Sequence, residues 1–313
     1  MEKISLIIPC YNEEESLPPL YEELKKVTAE MTEYEFEMLF IDDGSKDKTL
    51  TLLRDMAAAD KRVRYISFSR NFGKEAAMYA GFCNVTGDYT AVMDADMQDP
   101  PSLLPKMMEI IKEGEYDSVA TRRATRKGEP KVRSFFARMF YKLMKKISDV
   151  DIVDGARDFR LMKKKMVDAI VSMSETNRFS KGIFGWIGFK TYWLAYENVE
   201  RIAGKTKWSF WKLLKYSLDG IVNFSDLPLK ISSWSGIALT FVSAIMLLYV
   251  FIRSLIFGNP VAGWPSTICI ILFVGGVQLF CIGVMGQYIS KIYKETKRRP
   301  QYIIAEENKK DEE

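Results

Sequence analysis

Tyr89-Thr90-Ala91-Val92-Met93-Asp94-Ala95-Asp96-Met97-Gln98-Asp99-Pro100 is the stretch on which the reading of this chain turns. Residues 89–93 are a short apolar run of the kind that makes a buried strand. Asp94 and Asp96 follow one residue apart at its end and so point to the same side. In an open parallel sheet, ligands bind beyond the carboxyl ends of the strands. Neighbouring carboxylates repel each other unless a cation or hydrogen-bond donors offset their charge. A hard divalent ion, Mg²⁺ or Mn²⁺, takes one or two carboxylates together with phosphate oxygens, so one reading is a metal–diphosphate site. The other is a solvated acidic turn capping the next helix, with Asp99 as N-cap and Pro100 or Pro101 at the first helical position.

Upstream, residues 4–9, 37–41 and 63–68 are further short apolar runs. Each gives way to a polar loop: Cys10-Tyr11-Asn12-Glu13-Glu14-Glu15, Asp42-Asp43-Gly44-Ser45 and Arg70-Asn71-Phe72-Gly73-Lys74. Helical stretches follow these loops to about residues 30, 59 and 84, with Asp47 placed to cap the second. A further helix is expected over about 102–113 and another strand from 117–120. Strands alternating with helices predict an α/β domain with a mostly parallel sheet.

The chain of 313 residues has room for one large domain or two smaller ones. Its average composition is that of a globular protein, but the average conceals a partition. The chain is mixed to about residue 230 and strongly apolar from there to about 289. The net charge of +4 is concentrated in basic clusters at 122–146, 205–215 and 291–299, which suit an anionic membrane surface or a phosphate ligand. Nothing resembles a nucleic-acid module, so no nucleic-acid partner is expected. Histidine is absent, which excludes His-based catalysis and His metal ligands. Cys10, Cys83, Cys269 and Cys281 lack C-x-x-C spacing and read as reduced structural thiols. No signal peptide is expected ahead of the first strand.

Beyond the first domain the patterns turn towards a membrane. Between 131 and 147, apolar residues recur at helical spacing among Lys and Arg, which suits a helix lying in a bilayer interface or a core helix with a basic outer face. Asp154-Gly155-Ala156-Arg157-Asp158-Phe159-Arg160-Leu161-Met162 places Asp158 near Arg160, an ion pair unless ligands claim them. Arg201-Ile202-Ala203-Gly204-Lys205-Thr206-Lys207 reads as a phosphate loop or a solvated basic loop, and Trp-rich 208–224 as a second interfacial helix. Residues 234–252 and 264–289 carry no charge, and each approaches the ~20 residues that cross a bilayer. Lys230 precedes the pair and Lys291, Lys294, Lys297, Arg298 and Arg299 follow it, so the positive-inside rule puts both termini in the cytoplasm. Gly275, Gly276, Gly283 and Gly286 suit close helix contacts and oligomers.

Together I-I-P-C-Y-N-E-E, D-D-G-S, R-N-F-G-K and D-A-D-M-Q-D-P resemble the inverting glycosyltransferases of family 2. Within them the chain is similar, over essentially its whole length, to the polyprenyl-phosphate glycosyltransferases, the group of dolichol-phosphate mannose synthase and undecaprenyl-phosphate glucosyltransferases. The resemblance implies a GT-A catalytic domain at 1–206 with an interfacial helix at about 131–147, and juxtamembrane helices at 207–230. It also implies a transmembrane hairpin at 231–290 and a cytoplasmic basic and acidic tail at 291–313. It places Pro9, Tyr11, Asn12, Glu13 and Asp42 around the nucleotide. Lys74 and Ala95 join the nucleotide-sugar set, Gln98 lines the sugar pocket, and Asp94 and Asp96 hold Mg²⁺ or Mn²⁺. Arg70 and Lys74 read equally as phosphate contacts or as solvated charges. The implied acceptor side holds Asp158, Arg160, Arg201, Lys205 and Lys207, and the implied catalytic set is Asp96, Asp158 and Arg201.

The expected reaction is inverting transfer of a sugar from a nucleotide diphosphate to polyprenyl phosphate at the cytoplasmic face of the plasma membrane. Glucose from UDP-glucose is favoured because the two-span tail resembles the glucosyltransferases; UDP-galactose, UDP-N-acetylglucosamine and GDP-mannose stay open. The expected partners are the donor, the polyprenyl phosphate, the bilayer, further copies in a tetramer, and a downstream flippase and periplasmic-side glycosyltransferase. A processive polysaccharide synthase would carry Q-x-x-R-W and more spans, and neither is present. From another class, a non-catalytic membrane-anchored nucleotide-sugar-binding protein would keep the binding loops but show no turnover.

Overall fold

The structure, a computed structural model, describes residues 1–123, 153, 155–196, 225, 227–257 and 263–308. The helices expected at 131–147 and 208–224 and the loop at 201–207, with Arg201, Lys205 and Lys207, lie outside the described residues. The chain divides into two units, Met1–Ser217 with Arg299–Glu313, and Leu218–Arg298.

The first unit is built on a mixed sheet. Its strands are β1 (Glu2–Cys10), β2 (Tyr34–Asp42), β3 (Val63–Phe68), β4 (Tyr89–Val92), β5 (Ser118–Arg123), β6 (Ala156–Lys163), β7 (Thr191–Tyr196) and β8 (Ile304–Glu307). Among the described residues their order is β7-β5-β6-β4-β1-β2-β3-β8. β1 pairs in parallel with β2 and β4, β2 with β3, and β5 with β7. β6 runs antiparallel to both β4 and β5, and β8 antiparallel to β3. The parallel alternation over the first four strands is the expected one; the antiparallel insertion of β6 is not visible in the pattern of apolar runs.

Helices cover both faces, which is why β1 and β2 read as almost unbroken apolar runs. Leu6, Ile8, Met38 and Phe40 pack in one cluster with Leu17, Leu20 and Leu24 of α1 (Leu17–Glu30), Leu53 of α2 (Thr49–Ala59) and Met107 of α4 (Leu104–Lys112). The buried residues of α1 recur at intervals of three and four, one face of a helix. On the opposite face α3 (Lys74–Asn84) lies so close to β1 that a Cβ at Gly81 would stand 2.3 Å from Ile7 Cγ2. Two shorter helices, α5 (Lys164–Ser172) and α6 (Ser180–Trp186), follow β6.

The tail departs from the expected plain cytoplasmic extension. Residues after 299 return to the first unit and add β8 to its edge. Glu306 accepts from Arg54 Nε at 2.8 Å and from the Tyr65 hydroxyl at 2.6 Å. Tyr302 stacks on Phe68 with ring centres 5.0 Å apart, and Gln301 Nε2 donates to the Ser174 and Glu175 carbonyls. The Arg54 guanidinium and the Tyr65 hydroxyl hold the Glu306 carboxyl down at about 2.

The second unit holds two long helices, α7 (Leu227–Phe257) and α8 (Trp264–Thr296), each longer than the expected spans. Leu227–Met246 and Phe273–Thr296 have the length and mean hydropathy, 1.4 in each, to cross a membrane. Trp234, Phe241, Ile245, Phe273, Leu279 and Phe280 are exposed. A core helix of a soluble domain would bury such residues; their exposure fits membrane anchoring. Ser235 and Cys281 meet across the hairpin at 3.7 Å. A Cβ at Gly275, Gly276, Gly283 or Gly286 would find nothing within 4 Å, so these glycines are not where α7 and α8 approach each other.

Candidate active site

The loops that follow β1 to β4 gather at one edge of the sheet, because parallel register sets the strand ends beside one another: Cys10 pairs with Asp42 and Asp42 with Ser67. Pro9 lies in β1 opposite Ile41. Asn12 adopts a left-handed φ of +53°, which Asn tolerates better than most residues. Its Oδ1 accepts Lys46 N–H at 2.8 Å, and its own N–H donates to Ser45 Oγ at 2.9 Å. Glu13 N–H donates to Thr49 Oγ1 at 2.9 Å, and the Glu13 carboxylate accepts from Ser16 Oγ at 2.6 Å. The Tyr11-Asn12-Glu13 loop is thereby pinned to the loop after β2. Asp42 is buried and accepts from Ser45 N–H at 3.0 Å and Ser67 Oγ at 2.7 Å, so it ties the loop after β2 to the end of β3.

Asp43 organises the next loop. It accepts from Phe72 N–H at 2.6 Å and Gly73 N–H at 2.9 Å. At Gly44, φ is +66° and a Cβ would lie 2.4 Å from the Arg70 carbonyl carbon, so the two loops touch through their backbones. Burial pushes the Asp43 carboxyl up to about 6, against the opposing pull of the Phe72 and Gly73 N–H groups. A raised native pKa means that the fold prefers the proton. Asp43 therefore contributes stability below its ordinary value of 3.8 and loses it as pH rises through about 6. Asp43→Asn keeps an acceptor for both N–H groups without the charge. Its thermal stability relative to wild type is expected to rise between about pH 4 and pH 6 and level off above; a flat difference across that range would refute the assignment.

The centre of the site is completed by β6. Val92 pairs with Arg160, and continuing that antiparallel register by two residues carries Asp158 opposite Asp94. Lys74, the first residue of α3, lies between them. Its Nζ is 2.5 Å from Asp94 Oδ1 and also bonds Asp158 Oδ2. Lys181 of α6 places a second ammonium 3.9 Å from Asp158 Oδ1 and donates to the Ala156 carbonyl at 3.1 Å. Glu75 accepts from Ser180 N–H at 3.0 Å and from its hydroxyl, which ties α3 to the start of α6 and so places Lys181. Burial pushes Asp158 up, but Lys74 and then Lys181 outweigh it and hold the carboxyl well below the usual range. Burial leaves Asp94 less acidic than an ordinary aspartate, in spite of Lys74.

Beside this cluster the D-x-D turn is shaped by Met97, at a φ of +55°. Asp96 Oδ1 accepts Gln98 N–H at 3.2 Å, and Ala95 is buried between the two aspartates. Asp99 is not a helix cap. The 3₁₀ turn Pro101–Leu103 that precedes α4 is flanked by Pro100 and has no side-chain cap, while Asp99 is 1% exposed and ion-paired to Arg157 at 2.9 Å. Burial and then Asp99 push the Tyr196 hydroxyl, which also bonds Asp99, up to about 12.

Arg160 departs from the acceptor-side expectation. Its guanidinium is buried, donates to Ser118 Oγ and Thr191 Oγ1 at 3.3 Å, and stacks over Phe184 and Trp193. It pairs with no carboxylate among the described residues, and burial lowers its pKa to about 10. The rings draw it away from Asp158, which two lysines already satisfy, so Arg160 joins β5, β6 and β7. Arg70 is exposed and lies over the Phe72 ring, 4.0 Å from its centre.

Residues 5–171 match the family described as glycosyl transferase family 2. This chain belongs to that family. It is 47% identical over 97% of its length, and 92% of the relative's, to CsbB of Bacillus subtilis (strain 168). It is 43% identical to a prophage bactoprenol glucosyl transferase homolog of Escherichia coli (strain K12), covering 96% of this chain and 98% of that one. It is 42% identical to the bactoprenol glucosyl transferase of Shigella phage SfV, covering 98% of this chain and 100% of that one. Among solved structures, glucosyl-3-phosphoglycerate synthase from Mycobacterium tuberculosis is 16% identical with a TM-score of 0.49, covering 71% of this chain and 78% of that one.

For a glycosyltransferase with this edge, the metal question turns on the donor set. No group of three His, Cys, Asp or Glu side chains able to hold a metal occurs among the described residues. The protein offers the two carboxylates of Asp94 and Asp96, hard oxygen donors suited to a cation that takes its remaining oxygens from a diphosphate and water. The ammonium held against Asp94 shows that this position draws positive charge. Lys181, Arg157, Tyr196 and Asp99 escaped the sequence reading as site residues. Only the last carried a signal, as the third carboxylate of D-A-D-M-Q-D.

Proposed function

We propose that this glycosyltransferase moves glucose from a nucleotide diphosphate, UDP-glucose, to undecaprenyl phosphate at the cytoplasmic face of the plasma membrane. The observation that carries the reading is end-to-end similarity, hairpin included, to bactoprenol glucosyl transferases. A lipid acceptor also accounts for two long, apolar, exposed helices joined to a nucleotide-sugar fold. Basic residues flank the hairpin on the side of both termini, which supports the cytoplasmic placement.

In this reading the loops after β1 and β2 hold the nucleotide, with Tyr11, Asn12, Glu13 and Asp42 around base and ribose. Asp94 and Asp96 would hold Mg²⁺ or Mn²⁺. Such an ion supplies charge neutralisation to the departing diphosphate. Lys74 keeps Asp94 and Asp158 from repelling each other and meets the phosphates as they enter. Asp158 orients the acceptor. A phosphate monoester has its second pKa near ~6 and is largely ionised at neutral pH, so no strong base is required. Arg201, Lys205 and Lys207 add positive charge for the two phosphate groups.

The test is transfer of radiolabelled glucose from UDP-glucose into organic-extractable lipid, in membranes with and without Mg²⁺. Asp96→Ala is expected to reduce labelling at least about a hundred-fold and to remove its metal dependence. Folded wild type that labels no lipid from UDP-glucose, UDP-galactose, UDP-N-acetylglucosamine or GDP-mannose would leave the non-catalytic binding protein in its place.

A further inference from the structure

We propose that Glu75 is a positioning residue for transfer: it holds the start of α6, and through that helix it sets Lys181 against Asp158. This rests on the glucosyl-transfer reading above, in which Asp158 orients the acceptor. It gives a role to a carboxylate outside the nucleotide, metal and acceptor sets.

The relay is short. Glu75 Oε2 accepts both polar hydrogens of Ser180, the backbone N–H at 3.0 Å and the hydroxyl. Lys181 follows Ser180 in the chain. Its Nζ donates to the Ala156 carbonyl at 3.1 Å and stands 3.9 Å from Asp158 Oδ1. At that distance the two charges attract without a close hydrogen bond, so their separation depends on where α6 begins. Lys74 and Glu75 are the first two residues of α3, and one residue turns a helix by about 100°. Their side chains therefore leave in different directions, Lys74 to Asp94 and Asp158 and Glu75 to Ser180. One helix start supplies one ammonium to Asp158 and holds the other in place.

Local sequence offers no substitute for this hold. The first backbone N–H groups of a helix have no partner within it. Phe179, the residue before α6, makes no side-chain cap. Glu75, 105 positions before Ser180, takes that place. The rest of α6 has its own anchors. Ile183 is buried, and Phe184 meets Phe82 of α3 edge-on with ring centres 6.4 Å apart. Removing the Glu75 carboxylate frees the first turn while the helix stays docked, which separates this role from folding.

The experiment uses the full chain in detergent with Mg²⁺, UDP-glucose and undecaprenyl phosphate. It reads kcat, donor KM and Tm, and the rate at which an amine-acylating reagent labels Lys181, resolved by peptide mass spectrometry. Glu75→Ala is expected to lower kcat about ten-fold with donor KM within about two-fold of wild type. Its Lys181 is expected to label several-fold faster, because an ammonium moved away from a carboxylate gives up its proton more readily. Glu75→Gln keeps one acceptor oxygen for Ser180 and is expected to recover most of both changes. Lys181→Met removes the end of the relay, and Glu75→Ala added to it is expected to cost no further kcat.

A folded Glu75→Ala with wild-type kcat would overturn the proposal. So would a loss that multiplies with that of Lys181→Met, or a Lys181 labelling rate that Glu75→Ala leaves unchanged. Glu75→Gln as impaired as Glu75→Ala would also overturn it, since the charge and not the hold on Ser180 would then be the cause. Lys181 labelling is read without turnover. Wild type that transfers no sugar refutes the transfer reading, and the labelling of Glu75→Ala and Glu75→Gln still decides whether Glu75 places Lys181.

Discussion

Asp158→Asn is expected to lower kcat for glucosyl transfer about a hundred- to a thousand-fold while donor KM stays within a few-fold of wild type. The amide preserves size and one acceptor oxygen and removes the charge. In the wild type that charge is held ionised by Lys74 and Lys181, and it stands across the sheet from Asp94. Without it, Lys74 turns wholly to Asp94. The pH dependence separates two roles. If Asp158 orients an acceptor that is already ionised, raising the pH from about 7 to about 9 recovers nothing, since the phosphate's second pKa is near ~6. If Asp158 removes a proton, the variant gains rate with pH. A raised donor KM with unchanged kcat would contradict both and move Asp158 to the donor side.

Lys74→Met is expected to impair activity and stability together, and its stability loss is expected to be repaired by the variant just described. Truncating Lys74 leaves Asp94 and Asp158 facing each other without the ammonium that bonds both. Removing one partner of a fully buried pair costs ~3–5 kcal/mol. The Lys74 side chain is 37% exposed, so solvent screening brings the expected loss to about 1–3 kcal/mol. In the Lys74→Met background, Asp158→Asn removes the repulsion and is expected to restore most of the Tm without restoring transfer. Millimolar Mg²⁺ is expected to restore part of the Tm as well, by supplying the missing positive charge at Asp94. Lys74→Met melting with the wild type in metal-free buffer would show that the carboxylates do not depend on Lys74. A double variant melting lower than Lys74→Met alone would exclude repulsion as the cause.

The parts of this molecule that were legible from residues alone are the local ones. Short apolar runs ended by polar loops, and the helical stretches that follow them, place β1 to β4, α1 to α4 and the loops between them. Parallel alternation then carries the loops that bear Tyr11, Asn12, Glu13, Asp42, Lys74 and the D-x-D pair to one edge. Two uncharged runs of membrane-spanning length needed no partner to be recognised. The sign and class of the site, acidic carboxylates with lysines at a sheet edge, were likewise in the sequence.

The remainder depended on pairings between distant residues, on which local pattern is silent. Asp158 meets Lys74 across 84 positions because β6 enters the sheet antiparallel beside β4. The same short run could have entered in either direction, and the other direction would have carried Asp158 to the far edge. Arg160, two residues along, read as a phosphate or Asp158 partner; its surroundings, Phe184 and Trp193, come from later elements and make it a structural cation. Asp99 read as a cap because a local turn can use an aspartate that way, and Arg157 and Tyr196 claimed it from β6 and β7. The tail read as a charged extension, whereas Arg54 and Glu306, 252 positions apart, make it an edge strand. Composition and periodicity determined the charges and the elements that carry them. Strand direction and register, set by long-range hydrogen bonding and core packing, decided which charge meets which.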